Sequence, residues 1–149
     1  HPRRLGAMER LLDDARRHGA RFLAGGERIA GKGYFWQPTV LADVPNEARI
    51  MNEEPFGPVA IINPFSSFEE AIEQANRLPY GLAAYAFTRS ARTVNLLGEQ
   101  IEAGMIGINS YQISVPESPF GGVKESGHGS EEGIEGLEAC LVTKFVTEA

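Results

Sequence analysis

Two adjacent carboxylates, Glu53 and Glu54, stand directly before Pro55, Phe56, Gly57 and Pro58 in the stretch NEEPFGPVA (52–60). An ionised carboxylate is acceptor-only and can take two hydroxyl donors at once. Pro55 fixes its own φ and restricts Glu54 to extended backbone, so the direction of the Glu54 carboxylate is partly preset. On composition alone, a solvated turn is the plainer reading of both glutamates.

Other chemistry is weakly represented. GERIAGKG (26–33) approaches the phosphate-cradling pattern Gly-x-x-x-x-Gly-Lys-Ser/Thr. Gly33 stands where a magnesium-binding hydroxyl is needed, and extended chain follows where a helix would have to hold the phosphate, so a flexible turn is expected. His1, His18 and His128 lie far apart with no cysteine or paired carboxylates at ligand spacing, so no metal site is expected. His128, between Gly127 and Gly129, reads as a solvent-facing loop histidine or as an acid or base. Cys140 has no nearby histidine or cationic run to lower its thiol pKa and is expected to be a buried structural thiol. No nucleophile and no dinucleotide-binding glycine fingerprint is visible, so no catalytic residue is assigned in this chain.

The bulk properties bound the possibilities. With 149 residues and 42% apolar side chains, one domain with its own core is the default. A formal charge of -6 argues against nucleic acid, whose binding rests on clustered Lys and Arg. One cysteine excludes an intrachain disulfide framework and fits a reducing compartment. The start HPRRLGAMERLLDD lacks the apolar core of a signal peptide, and no later run approaches the ~18 apolar residues of a membrane span. The expectation is a cytoplasmic protein with no membrane partner.

The elements that would position these residues follow from periodicity. Leu5, Met8, Leu11, Leu12 and Ala15 make one helical face between Arg4 and His18, with Gly19 as the stop. ARFLAGG reads as a short strand with a glycine turn, and YFWQPTVLADV as extended chain. VAIINPF, LAAYAF and MIGINS are apolar runs. Between the first two lies a helix opened by a capping box, Ser66 with Glu69 or Ser67 with Glu70, and closed before Pro79. Between the last two lies a helix carrying Val94, Leu97 and Ile101 and stopped at Gly104. Apolar strands alternating with helices predict an α/β fold, with a β-α-β-α-β run from Val59 to Asn109 on a mainly parallel sheet covered on both sides. SVPESPFGGVKESGHGSEEG (114–133), glycine-rich and twice broken by proline, predicts a long shaped loop. A short helix capped by Ser130 should follow, over about Glu131 to Ala139. LVTKFVTEA then alternates as a half-buried strand does.

GYFWQPTVLADV, NEEPFGPV, YGLAAYAFTRS, GMIGINS and SPFGGVKESGHG, in this order, resemble the C-terminal part of the aldehyde dehydrogenase superfamily. The resemblance covers essentially the whole chain. It implies a three-layer αβα catalytic-domain fold, of which this chain is a fragment of a larger enzyme. Residues 1–140 would belong to the catalytic domain and 141–149 would be an oligomerisation strand. In the family, a cysteine thiolate attacks the aldehyde, the thiohemiacetal passes hydride to NAD or NADP, and water hydrolyses the thioester. The nucleophile and the nicotinamide-binding domain would lie outside these residues.

By the same resemblance, Glu54 accepts hydrogen bonds from the nicotinamide ribose hydroxyls, and Phe56 packs beside the nicotinamide and its ribose. Glu53 keeps its reading as a solvated turn. Asn109 ends a strand, and the carboxyl ends of parallel strands are where such sheets bind ligands. The loop beyond it would wall the aldehyde tunnel, with Phe120 as an aromatic wall and Gln112 and Ser114 near the substrate tail. Without the family, Phe120 reads equally as a loop anchor and Ser114 as a turn residue. A small hydroxyl at the Ser114 position resembles succinate-semialdehyde dehydrogenases, where it can hydrogen-bond the substrate carboxylate. Ser130 departs from the family, which usually has arginine there. The partners implied are a small-molecule aldehyde and further copies of the chain in a homo-oligomer. The competing reading is a stand-alone α/β binding or interaction domain without chemistry.

Overall fold

Proline at the first helical position supplies a preset φ and gives up no needed hydrogen bond. Helix α1 (Pro2–Arg17) starts there. It ends in a Schellman arrangement: Gly19, at φ 84°, donates to the Arg16 carbonyl at 3.0 Å, and Ala20 donates to Ala15 at 3.0 Å. In the computed structural model, which describes residues 1–149, the chain divides into His1–Phe65 and Ser66–Ala149.

In the first unit, β1 (Arg21–Ala24), β2 (Thr39–Ala42) and β3 (Val59–Ile62) form one sheet in that order. β1 and β2 are antiparallel, whereas β2 and β3 run parallel from Thr39↔Val59 to Ala42↔Ile62. The expected apolar face of α1 is buried, and Met8, Leu11, Leu12 and Ala15 pack with Leu41, Val44, Ala48 and Ile50 as the core. Two polar side chains inside this unit are satisfied. The Thr39 hydroxyl donates to the Gln37 carbonyl at 2.8 Å and accepts from Gly26 N–H at 2.9 Å. Asp14, 7% exposed, accepts the Arg49 backbone N–H at 2.8 Å. That bond holds the Asp14 carboxyl below its ordinary range, with the neighbouring Arg17 guanidinium adding to the effect. The stability it lends is present above the ordinary carboxylate range and is lost as pH falls through the lowered value.

GERIAGKG forms a hairpin tip. Arg28 bridges Trp36, Ile29 N–H donates to Phe35 at 3.1 Å, and Gly31 and Gly33 take φ of 115° and 113°.

In the second unit, α2 (Phe68–Asn76) chooses one of the two capping options. Ser67 is the N-cap and its hydroxyl accepts Glu70 N–H at 3.1 Å. The Glu70 carboxylate reaches back to Ser66 instead of to the cap, and the Ser66 hydroxyl holds its pKa below the ordinary value. β4 (Tyr80–Gly81) pairs antiparallel with β7 (Val123–Lys124), and β5 (Ala83–Ala86) pairs parallel with β6 (Met105–Ile108). α3 (Ala91–Gln100), capped by Ser90, connects the last two. α4 (Gly133–Glu138) is a short final helix.

The chain is therefore α/β, but four expectations are corrected. The run from Val59 to Asn109 is divided between two sheets, because β3 takes its ladder from β2 and β5 takes its ladder from β6. Gly104 is not the stop of α3, which ends at Gln100 with Ile101 extended. Ser130 does not cap α4, because Glu131 is held in a bridge to Phe120 and the helix starts only at Gly133, with Glu132 as its N-cap. Cys140 lies beyond α4 and is exposed rather than buried. Residues 141–147 pair with no strand of this chain, and Val142 and Phe145 are 94% and 87% exposed.

Candidate functional site

The 3-10 turn Arg49–Met51, whose first N–H is held by Asp14, leads straight into the paired carboxylates. They are not equivalent. Arg49 donates to Glu53 through Nε at 2.7 Å and Nη2 at 3.0 Å, a fork that holds the Glu53 carboxyl below its ordinary range. Glu54 is exposed, and its carboxylate makes no hydrogen bond or ion pair. Two hydrogen bonds that span one residue each follow. Phe56 N–H donates to the Glu54 carbonyl across Pro55 at 3.0 Å, and Val59 N–H donates to Gly57 across Pro58 at 2.8 Å. The fixed φ of proline suits the centre of such γ-turns, so both prolines stiffen the segment.

This segment is seated on α1. A Cβ at Gly57 would collide with the Met8 thioether, so only glycine lets the turn sit that close. The Phe56 ring is 64% exposed, with the Arg4 guanidinium 5.5 Å from its centroid. The first unit thus presents an unengaged carboxylate and an aromatic ring on a stiff turn. That pair offers two acceptor oxygens beside an open aromatic face.

The second unit holds the residues expected to meet the aldehyde. Asn109, at φ 55°, ends β6 and pins Thr88: its Oδ1 accepts Thr88 N–H at 2.9 Å and its Nδ2 donates to the Thr88 carbonyl at 2.8 Å. Asparagine tolerates this left-handed conformation better than most residues. Gln112 is exposed, with its N–H held by the Ser110 hydroxyl at 3.0 Å. Ser114 is exposed and its hydroxyl lies 3.2 and 3.3 Å from the two Glu132 carboxylate oxygens. Phe120 is half-buried and exchanges both backbone bonds with Glu131 at 2.7 Å. Lys124, at φ 55°, closes the loop by donating to the Asn76 and Leu78 carbonyls at 2.8 and 3.1 Å and pairing with Glu102.

Sequence reasoning missed Arg4, Arg49 and Glu132. Arg49 carries a signal, four residues before Glu53 at ion-pair spacing. The other two depend on how separate segments are laid together, and no spacing reports that.

The loop 120–126 rests on Gly104. A Cβ there would run into the Gly121 carbonyl, with the Gly122 Cα at 3.0 Å. Gly104→Ala is therefore expected to cost about 1–3 kcal/mol by overpacking. A denaturant midpoint equal to that of the unsubstituted protein would show that the loop can retreat freely.

The chain matches the aldehyde dehydrogenase family over residues 1–146, and it belongs to that family. The 4-(hydroxymethyl)benzenesulfonate dehydrogenase of Comamonas testosteroni is 51% identical over 144 residues, covering 97% of this chain and 30% of its own length. The succinate-semialdehyde dehydrogenase of Paenarthrobacter nicotinovorans is 48% identical over 128 residues, 86% of this chain and 28% of its own length. A solved NAD+ complex of an aldehyde dehydrogenase from Bacillus cereus superposes with a TM-score of 0.87 at 40% identity, over 93% of this chain and 28% of that one. The chain spans about 30% of the length of the curated relatives it matches. No helix is long and apolar enough to cross a membrane.

Proposed function

We propose that these residues form the C-terminal segment of a longer NAD(P)-dependent aldehyde dehydrogenase, which oxidises an aldehyde to its carboxylate through a cysteine supplied elsewhere. The observation that carries this reading is the division between the two glutamates. Arg49 engages Glu53, while the Glu54 carboxylate stands free on a proline-stiffened turn. The nicotinamide, when bound, supplies the hydride acceptor. Glu54 accepts its ribose hydroxyls and Phe56 packs against it; Gln112, Ser114 and Phe120 line the aldehyde's path.

For the substrate, we read an aldehyde with a remote anionic group, succinate semialdehyde first. The Ser114 hydroxyl is a donor suited to a carboxylate, and the two relatives above carry a semialdehyde of succinate and a sulfonate in their names. We read residues 1–140 as catalytic-domain structure and 141–149 as a strand that completes a sheet of a neighbouring subunit. Exposed Leu141 and Phe145 on one side of an unpaired segment would otherwise be an aggregation hazard.

A panel of aldehydes with NAD and NADP on the full-length protein tests this. Succinate semialdehyde should give the highest kcat/KM, and the isolated 149-residue chain should give no turnover. Cysteine-dependent oxidation by the isolated chain would sink the reading of a segment that lacks its nucleophile. A full-length protein inert toward every aldehyde would sink the function.

A further inference from the structure

The Ser114 hydroxyl is already engaged by a carboxylate, and the backbone around that carboxylate is unusual. Glu132 adopts φ 59° and ψ 176°, a region that glycine occupies and L side chains avoid. It is held there from both sides. Glu131 exchanges two 2.7 Å bonds with Phe120, and Gly133 N–H donates to the Pro116 carbonyl at 3.0 Å. Between those anchors the Glu132 side chain meets Ser114, with Oε2 at 3.2 Å and Oε1 at 3.3 Å from Oγ. Strain of this kind persists only where neighbouring contacts over-determine it, and here those contacts aim one carboxylate at one hydroxyl.

We propose that Glu132 is a specificity-determining residue that weakens binding of anionic aldehydes by competing for the Ser114 hydroxyl. The proposal rests on the reading that Ser114 faces the substrate tail. A carboxylate tail approaching Ser114 meets a donor already in use and a like charge beside it. A tail ending in a hydroxyl or ammonium group meets an acceptor instead. Glu132 therefore narrows the margin by which anionic aldehydes are favoured over uncharged or donor-bearing ones, without reversing it.

The test compares kcat/KM for succinate semialdehyde and butanal in the full-length enzyme. Glu132→Gln keeps the size of the side chain and removes its charge. It should raise the ratio of the two values about fivefold, the scale of like-charge repulsion at about 4 Å in water. Glu132→Gly should raise the ratio as well and increase Tm, because glycine takes the positive φ without strain. That second variant guards against misfolding of the first. A ratio unchanged in both variants overturns the proposal. Ser114→Ala separates this failure from that of the underlying reading. If Ser114→Ala lowers the ratio while both Glu132 variants leave it unchanged, only the competition is wrong. If none of the three moves it, the placement of Ser114 at the substrate tail is wrong too.

Discussion

Glu54→Gln in the full-length enzyme should lower kcat/KM with NAD(P) roughly 10- to 100-fold while leaving the thermal transition in place. The amide keeps the shape of the side chain but loses the charge and one acceptor oxygen. A hydrogen bond to a charged group is worth about 1.5–3 kcal/mol, which sets the expected factor. The fold should not register the change, because the Glu54 carboxylate has no partner within the chain. Surface substitutions of that kind stay within about 0.5 kcal/mol. Glu53→Gln is the control of opposite design. Its pair with Arg49 is half-exposed, so its loss costs little stability, and it leaves Glu54 in place. Glu54→Gln with wild-type kinetics would mean that Glu54 is only a turn carboxylate.

Local signals reported the fold well wherever one short segment decides the outcome. Gly19 ends α1 because a helix of this pattern needs a residue at positive φ there, and the residue types alone say so. Ser67 and Glu70 make the cap of α2 for the same reason. The misreadings arise where distant segments decide. Gly104 looks like a helix stop, yet what requires glycine is the Gly121 carbonyl, seventeen positions further on. The alternation over 141–147 is that of a strand, but a strand needs a second edge, and periodicity does not say which chain provides it.

The site was legible to the same limit. Proline after Glu54 and Arg49 four residues before Glu53 already distinguish the two carboxylates, one aimed and one paired. That Ser114 faces Glu132 is written nowhere in their neighbourhoods. It follows from the bridge between Phe120 and Glu131 that lays one part of the glycine-rich loop on another.

Met8→Ala and Leu12→Ala separate what the core does for stability from what it does for the Glu54–Phe56 turn. Both side chains are essentially inaccessible, at 1% and 0%, and belong to one cluster. Truncating either should cost about 2–5 kcal/mol through lost burial and the cavity left behind. Only Met8, however, lies under Gly57, the residue on which the Glu54–Phe56 turn is seated. Removing it takes the floor from the turn, so the carboxylate samples directions that Pro55 alone does not exclude. Leu12 is buried in the same core one helical turn further along α1. In the full-length enzyme at a temperature where both variants remain folded, Met8→Ala should raise KM for NAD(P) several-fold, and Leu12→Ala should raise it less. Urea midpoints measured beside the kinetics fix the comparison. Equal loss of stability with equal change in KM would show that the turn is held by its own prolines and not by α1.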